Sequence, residues 1–291
     1  MAAETNVIVK NDIAKVREID YAWKFADDVR GLMTLLGITR PIPVVAGTLL
    51  KAYKATGELE DGSQVAEGDV IPLSNFKTEL AFSKEASINK YRKATTAEAI
   101  LKGGYDQAVA QTDKKALSEA HKGIKNSLLA AFTPDSGTTS ASGTNLQQVL
   151  ANASAKLAIK FEDTDYEPVH IVNPEDLGDY LGNAAISLQS KYGIKYLEDF
   201  LGLGMVIAMS GISKGTTVTT AKQNMQAYYV NVNEANGLGE VFDFTTDETG
   251  LVGVHTGATY DRMQVETVII DGIEFFPERV DGIVVGTISN F

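Results

Sequence analysis

Three histidines are the side chains of this sequence best suited to acid–base catalysis or metal binding. His121, His170 and His255 lie far apart, and none has a second histidine or a cysteine at the spacing of a metal site. The chain contains no cysteine, which excludes disulfides, thiolate catalysis and cysteine-bound zinc or iron–sulfur clusters. We therefore predict structural roles for the histidines, with no metal and no cofactor.

Acidic residues alternate along one short segment in a manner similar to a calcium-binding loop. Asp163, Asp165 and Glu167 are spaced by two, but Pro168 stands where such a loop needs a glycine. We predict a solvated acidic loop at this position. The remote alternative is a hydrolase that uses the acidic residues of 162–167.

Glycine motifs of nucleotide-binding enzymes are incomplete in this sequence. Gly202 and Gly204 match the start of a dinucleotide-binding loop, but Ile207 occupies the place of the third glycine. Lys214 precedes a glycine, which reverses the order found in phosphate-binding loops. Because no catalytic residue is indicated, we expect a protein that is not an enzyme.

Acidic and basic residues are separated along the chain. The segment 57–70 has five acids and no Lys or Arg, whereas residues 77–125 carry a net charge of +4 in a chain of net charge −12. An acidic chain is a poor general ligand for nucleic acid. One interpretation is that both segments are simply solvated. The other is contact between identical copies, for which the candidate residues are Glu58, Glu60, Asp61, Glu67, Asp69, Lys90, Arg92 and Lys93.

The acidic segment connects two predicted strands. Residues 48–56 and 76–91 show alternation of apolar and polar side chains, which favours strands. Together they predict a long two-stranded ribbon with a polar, glycine-containing tip. Because an isolated two-stranded ribbon is marginally stable in water, we expect a neighbouring subunit to support it.

A long helix is the dominant element predicted after the ribbon. Thr95-Thr96-Ala97-Glu98 is typical of a helix start, and Gly103-Gly104 interrupts the short helix that follows. Apolar residues spaced by three and four then predict a helix over 105–132. Further helices are predicted over 146–160 and from Asn173-Pro174 to about residue 181, among mostly antiparallel strands. The predicted class is α+β.

No targeting or membrane segment is indicated by the sequence. The N-terminus lacks a basic segment followed by an apolar one, so we expect no signal peptide. The longest nearly apolar stretch, Leu201 to Met209, has nine residues, whereas a membrane span needs about 20.

The order of these elements resembles the major capsid protein of tailed bacteriophages, with its Hong Kong 97-type fold. The residues that carry the resemblance include Glu67-Gly68 followed by Ile71 in the acidic segment. They also include Lys90-Tyr-Arg-Lys-Ala-Thr-Thr before the long helix, and Val169-His-Ile-Val-Asn-Pro-Glu-Asp-Leu, where a strand meets a helix. The resemblance covers nearly the whole chain.

The resemblance implies a division of the chain into four parts. We expect an N-terminal arm (1–46), an extended loop (47–80), a peripheral domain with the spine helix of about 105–132 (81–150 and 255–291), and an axial domain (151–254).

The resemblance also implies self-assembly into hexamers and pentamers of an icosahedral head shell that encloses the genome. The implied partners are a separate scaffolding protein, a portal and packaged double-stranded DNA bound without sequence specificity. The implied location is the virion, with assembly in the host cytoplasm. The tip lacks a lysine for covalent cross-linking. The alternative within the same fold is an encapsulin-like nanocompartment shell.

Overall fold

A computed structural model describes residues 22–23, 26–38, 41–60, 65–66, 69–133, 138–162, 165–182, 188–191, 194–222, 224–232 and 241–289. Within these residues, helices and four sheets form an α+β fold, as predicted. The helices are α1 (26–35), α2 (Ala97–Gly103), α3 (Gln111–Phe132), α4 (Leu146–Lys160) and α5 (Pro174–Leu181). The strands are β1 (Ile42–Val44), β2 (Leu49–Thr56), β3 (Lys77–Glu85), β4 (Asn89–Thr96), β5 (Thr139–Gly143), β6 (Pro168–Val172), β7 (Gln189–Lys191), β8 (Ile194–Leu197), β9 (Met205–Ala208), β10 (Thr216–Ala221), β11 (Met225–Val230), β12 (Thr245–Thr246), β13 (Val252–Thr259), β14 (Gln264–Asp271), β15 (Ile273–Pro277) and β16 (Ile283–Ile288).

β2 and β3 form the two-stranded ribbon that the sequence predicts, and the described residues 57–60, 65–66 and 69–76 lie between the two strands and are called its tip. The two strands pair antiparallel, with one irregularity after Ala52. The second strand is shorter than the predicted 76–91, because β3 ends at Glu85 and β4 begins at Asn89 in a different sheet.

The base of the ribbon packs against the three-stranded sheet, whose strand order is β1-β11-β15. Leu50 and Ala52 of β2 form a buried cluster with Phe276 of β15. The ring of Phe82 on β3 packs on the same side chain, with 5.1 Å between the ring centroids. Both strands of the ribbon therefore pack on Phe276 at one end, while the described apolar side chains of the other end are exposed to solvent.

The spine helix forms over 105–132, and its start is separated from α2 as predicted. Thr96 caps α2, and Gly104 ends it with φ 76° and ψ 154°. This backbone conformation favours glycine. After Gly104, the helix runs through one π-helical segment, Asp106–Ala110, and continues as α3. Its buried face meets the sheets through Leu117, Ile124 and Leu128.

Helix α1 lies in the main hydrophobic core together with the spine helix. Val29, Leu32, Met33 and Leu36 are buried there, because their spacing places them on one side of the helix. Residues 26–38, which lie within the segment 1–46 expected as an arm, thus pack against the core of the chain. Residues 1–21 lie outside the described part of the chain.

A seven-stranded sheet has the order β5-β16-β10-β6-β9-β8-β7. α4 covers β5, β10 and β16, and its buried side chains Val149 and Leu150 share a core with Ile288 of β16. β5 and β16, which the expected division places in the peripheral domain, both pair within this sheet. Parallel pairing of β5 with β16 joins residues far apart in sequence, so local patterns do not reveal it.

The remaining sheet has the order β12-β13-β14-β4, and β4 is an edge strand of it. Tyr91 of β4 faces the spine helix, close to Gly123. The chain then changes sheets at Gly272, because β14 belongs to this sheet and β15 to the three-stranded one. No helix in the described part of the chain is long and apolar enough to cross a membrane.

Candidate inter-subunit contact surface

The ribbon and its tip expose an unusual amount of apolar surface. Val70 and Leu73 are each 92% exposed, and several further apolar side chains of the ribbon are more than half exposed. Those side chains are Leu49, Tyr53, Leu59, Ile71, Phe76 and Leu80. Contiguous apolar patches on a protein surface commonly mark contacts with another molecule.

The acidic residues of the tip are exposed wherever the structure describes them. Glu58, Glu60 and Asp69 are exposed, whereas Asp61 and Glu67 lie outside the described residues. Among the described residues, no ion pair joins these acids to Lys90, Arg92 or Lys93. The tip thus presents negative charge beside its apolar side chains.

Arg92 forms an ion pair within its own chain. Its guanidinium donates two hydrogen bonds to the carboxylate of Glu266 on β14, at 2.9 and 2.5 Å. The hydrogen bond and charge of Glu266 raise the pKa of Arg92, and Arg92 in turn lowers the pKa of Glu266. The Arg92 side chain remains about half exposed, so this pair lies at the surface.

Lys93 has more polar contacts within its own chain than Arg92 has. Its ammonium lies 2.5 Å from Oδ1 of Asp113 on the spine helix, and that oxygen also accepts a hydrogen bond from Thr267 on β14. The same ammonium donates to the carbonyl of Val109 in the π-helical segment and to Thr112. Lys93 thus joins β4 to the start of the spine helix, and it is not available to a neighbour.

Lys90 is the remaining candidate cation on β4, and it is exposed. Side chains alternate along β4, so Tyr91, Lys93 and Thr95 face the spine helix while Lys90 and Arg92 face outward. This alternation can be read from the sequence, and it separates Lys93 from Lys90 and Arg92. The burial of Asp113 was not foreseen, since a charged residue in the apolar stripe looked like an interruption.

A groove lies beside β4 that the sequence analysis did not identify. It has a volume of 730 Å³ and is lined by β4, α2 and the π-helical segment, including Thr96, Lys102 and Gln107. Gly103 also lines it. The groove combines small side chains with one cation, Lys102, and borders β4, the strand that carries the candidate cations Lys90, Arg92 and Lys93.

The histidines form no metal-binding group with Asp or Glu side chains, either at this surface or elsewhere among the described residues. His170 is buried, with Nδ1 2.8 Å from Thr219 Oγ1 and Nε2 3.0 Å from the carbonyl oxygen of Leu203. Burial lowers the pKa of His170 to about 4, so the ring is neutral at physiological pH. The described residues contain no group of three or more His, Asp or Glu side chains that could hold a metal ion.

One catalytic spacing was overlooked in the sequence. Residues 211–215 read Gly-Ile-Ser-Lys-Gly, the spacing of the serine elbow of hydrolases. That elbow needs a turn from a strand into a helix. Ser213 instead lies in a turn between β9 and β10, where its carbonyl accepts from the N–H of Thr216. The structural context of a catalytic serine is therefore missing.

No protein-family model matches the sequence, and no curated protein matches it either. Solved structures match over nearly the whole chain. The virus-like particle from Pyrococcus furiosus covers 91% of this chain and 97% of its own, with 14% identity and a TM-score of 0.55. The capsid of cyanophage A-1(L) covers 88% and 92%, with 11% identity and a TM-score of 0.56.

A third match is the SrpI encapsulin complex from Synechococcus elongatus, which covers 100% of this chain and 92% of its own, with 12% identity and a TM-score of 0.50. These structures share the fold of this chain at very low sequence identity. The chain therefore adopts the Hong Kong 97-type fold of tailed-bacteriophage capsid proteins.

Proposed function

We propose that this chain is the major capsid protein of a tailed bacteriophage. In this proposal it assembles as hexamers and pentamers into an icosahedral head shell that encloses the genome. Its role is structural and not enzymatic. The observation that carries the proposal is the ribbon, whose tip keeps its apolar side chains exposed within the part of the chain that the structure describes.

Covering the tip gives a physical reason for assembly. Burying a large apolar side chain stabilises a complex by about 1.5–3 kcal/mol. Val70 and Leu73 are almost fully exposed in the single chain, and Ile71 is largely exposed. A contact that buries even these three on a neighbouring copy contributes several kcal/mol, and it repeats at every copy of a shell.

Charge supplies the register of the proposed contact. The acids Glu58, Glu60 and Asp69 would lie near the segment 84–102 of a neighbour. Because Lys93 is bound to Asp113, we assign the cationic side chiefly to Lys90 and Lys102, with Arg92 at its margin. Exposed ion pairs add only about 0–1 kcal/mol each, so they orient the tip more than they hold it.

The proposal includes further partners and a location. A separate scaffolding protein and a portal would complete the assembly, which takes place in the host cytoplasm before the shell becomes part of the virion. Packaged double-stranded DNA would be enclosed without sequence-specific binding, consistent with the net charge of −12.

An encapsulin-like nanocompartment shell is the second candidate function. The matches to the Pyrococcus particle and the Synechococcus encapsulin cover at least as much of this chain as the cyanophage capsid does, which favours keeping it. The nucleic-acid content of particles isolated from the native source distinguishes the two, because a phage head encloses a genome and a nanocompartment does not.

Sedimentation velocity tests whether the ribbon drives assembly. The double variant Val70→Ser/Leu73→Ser should remain folded but sediment mainly as small species at concentrations where the unmodified chain forms large particles. Ile159→Ser is the matched control, because Ile159 is 72% exposed on α4, outside the ribbon. Assembly of the ribbon variant equal to that of the control would contradict the proposal.

A further inference from the structure

Two buried carboxylates lie where the ribbon joins the rest of the chain. β14 ends at Asp271, Gly272 follows, and β15 carries Glu274. Asp271 is fully buried and Glu274 is 5% exposed. Because β14 and β15 belong to different sheets, the two carboxylates sit at the junction between those sheets.

Both carboxylates hold the short connection through which the ribbon leads into β4. Glu274 accepts a hydrogen bond of 3.0 Å from Ser87 Oγ, and its other oxygen lies 2.5 Å from the ammonium of Lys84. Asp271 Oδ1 accepts a hydrogen bond of 2.8 Å from the side-chain amide of Asn89. The end of β3, the connection 86–88 and the start of β4 are thus all tied to this one cluster.

The backbone at the base of the ribbon closes around the same point. The N–H of Gly47 donates to the carbonyl of Ala86, and the N–H of Ala86 donates to the carbonyl of Thr48. Ala86 is buried. Any change in the angle between the ribbon and the four-stranded sheet therefore has to pass through residues that Asp271 and Glu274 hold.

Charge is unbalanced in this cluster. Lys84 faces Glu274, whereas Asp271 is faced by uncharged groups, which are the Asn89 amide and the backbone N–H of Ile273. Asp271 Oδ2 has no hydrogen-bond partner among the described residues. With both carboxylates ionised, the cluster holds two negative charges and one positive charge in a buried place.

Burial raises the pKa of Asp271 to about 6, and the negative charge of Glu274 adds to the increase. The hydrogen bonds from Asn89 and from the N–H of Ile273 act in the opposite direction. Burial raises the pKa of the Tyr91 phenol, and the negative charge of Asp271 adds to this increase. The packed arrangement therefore holds a proton on Asp271 more tightly than an opened, hydrated one does.

We propose that Asp271 and Glu274 form a proton-dependent clasp that fixes the ribbon to the body of the chain. With a proton on Asp271 the clasp is closed and Asn89 is held. Loss of that proton leaves an uncompensated buried charge beside Glu274, which favours opening of the connection 86–88 to water and pivoting of the ribbon. This device belongs to the single chain and does not depend on shell assembly.

The direction of the pH effect follows from proton linkage. A carboxyl whose pKa is raised in the closed form favours that form at low pH, and this preference is lost as pH rises from about 4 through about 6. With an ordinary pKa of 3.8 in the opened form and about 6 in the closed form, opening should become roughly tenfold more favourable between pH 5 and pH 7.5.

Hydrogen–deuterium exchange of the unassembled fraction of the Val70→Ser/Leu73→Ser chain, isolated by size-exclusion chromatography, tests the clasp. After correction for intrinsic exchange, amide protection over 84–90 should fall roughly tenfold between pH 5 and pH 7.5. Adding Asp271→Asn should abolish this step, while adding Asp261→Asn, an exposed acid in the β13–β14 turn, should leave it unchanged. A step that persists with Asp271→Asn, or its absence from the parent chain, would overturn the clasp.

Glu274→Gln provides a second test if Asp271→Asn fails to fold. Removing the Glu274 charge relieves its repulsion of ionised Asp271 and leaves Lys84 as a nearby cation, so the fall in amide protection should move to lower pH. An unchanged midpoint would contradict the proposal. Because the measurement is made on unassembled chains, its failure does not bear on the proposed shell function.

Discussion

The ammonium of Lys93 lies 2.5 Å from the buried Oδ1 of Asp113, and this ion pair fastens β4 to the first turns of the spine helix. The same ammonium also binds the carbonyl of Val109, which lies within the π-helical segment. Because a π-helical turn disturbs the regular hydrogen-bond pattern of an α-helix, an extra donor at this point stabilises it. The contact therefore belongs to the fold of the single chain.

Replacing Lys93 with methionine should destabilise the chain strongly. Lys93→Met leaves the buried carboxylate of Asp113 without its cation, and breaking a buried ion pair costs about 3–5 kcal/mol. Urea unfolding measures the loss. The matched control is Lys90→Met on the same strand, which should change stability by less than about 0.5 kcal/mol because Lys90 is exposed. Equal effects of the two variants would show that the pair does not hold the helix.

The two adjacent glycines before the spine helix should respond in opposite directions to alanine. Gly104 has φ 76°, so Gly104→Ala should destabilise the chain by about 1 kcal/mol through backbone strain, although its Cβ would meet no atom within 4 Å. Gly103 is the last residue of α2, so Gly103→Ala should be neutral or stabilising by up to about 1 kcal/mol. Thermal unfolding of both variants measures these effects. A loss of stability in Gly103→Ala, with none in Gly104→Ala, would contradict the prediction.

Buried His170 should make stability fall on acidification. Its pKa is about 4 in the folded chain against 6.5 ordinarily, so the unfolded chain binds the proton first and stability is lost as pH falls below about 6.5. His170→Asn should remove about 2 kcal/mol of this loss between pH 7 and pH 4.5. Urea unfolding at both pH values measures it, with His255→Asn as the control.

Asp271 acts in the opposite direction over the same range, because its pKa is raised and not lowered. The two contributions largely offset each other in the unmodified chain. Asp271→Asn should therefore steepen the acid-induced loss of stability, while His170→Asn should lessen it. If the pH dependence of stability changed in the same direction in both variants, the two opposite assignments could not both hold.

Reversing charge at the tip should weaken assembly in a salt-dependent way. Glu58→Lys/Glu60→Lys should lower the yield of particles at low ionic strength, and adding Lys90→Glu/Lys102→Glu should restore part of it. The control Glu248→Lys/Asp261→Lys makes the same change of charge at exposed positions outside the ribbon. Light scattering across salt concentrations gives the yield. Normal assembly of the tip variant, or no recovery in the combined one, would place the contact elsewhere.

Local sequence patterns predicted the elements of this fold well. Asn173 caps the helix that it was expected to cap, Gly104 ends α2, and the ribbon forms between β2 and β3. The start of α2 lies one residue later than predicted, because Thr96 and not Thr95 is its cap. Each of these features depends on a few neighbouring residues. Capping, φ values that suit glycine, and alternation along a strand are all visible in the sequence.

Features that depend on distant residues were not predicted. The place of β16 between β5 and β10 is set by pairing between strands that lie far apart in the sequence, as in the pair Thr139 and Val284. The burial of Asp113 depends on Lys93 and Thr267, which come from two other elements. The packing of helix α1 on the spine helix also joins elements that lie far apart along the chain.

Electron cryomicroscopy of the purified chain tests the central claim most directly. We predict closed icosahedral particles in which each ribbon crosses onto a neighbouring copy, with Val70 and Leu73 buried and the tip acids close to Lys90 and Lys102 of that neighbour. A chain that stays monomeric at every protein and salt concentration tested would contradict the account. So would particles in which the ribbon tip remains exposed to solvent.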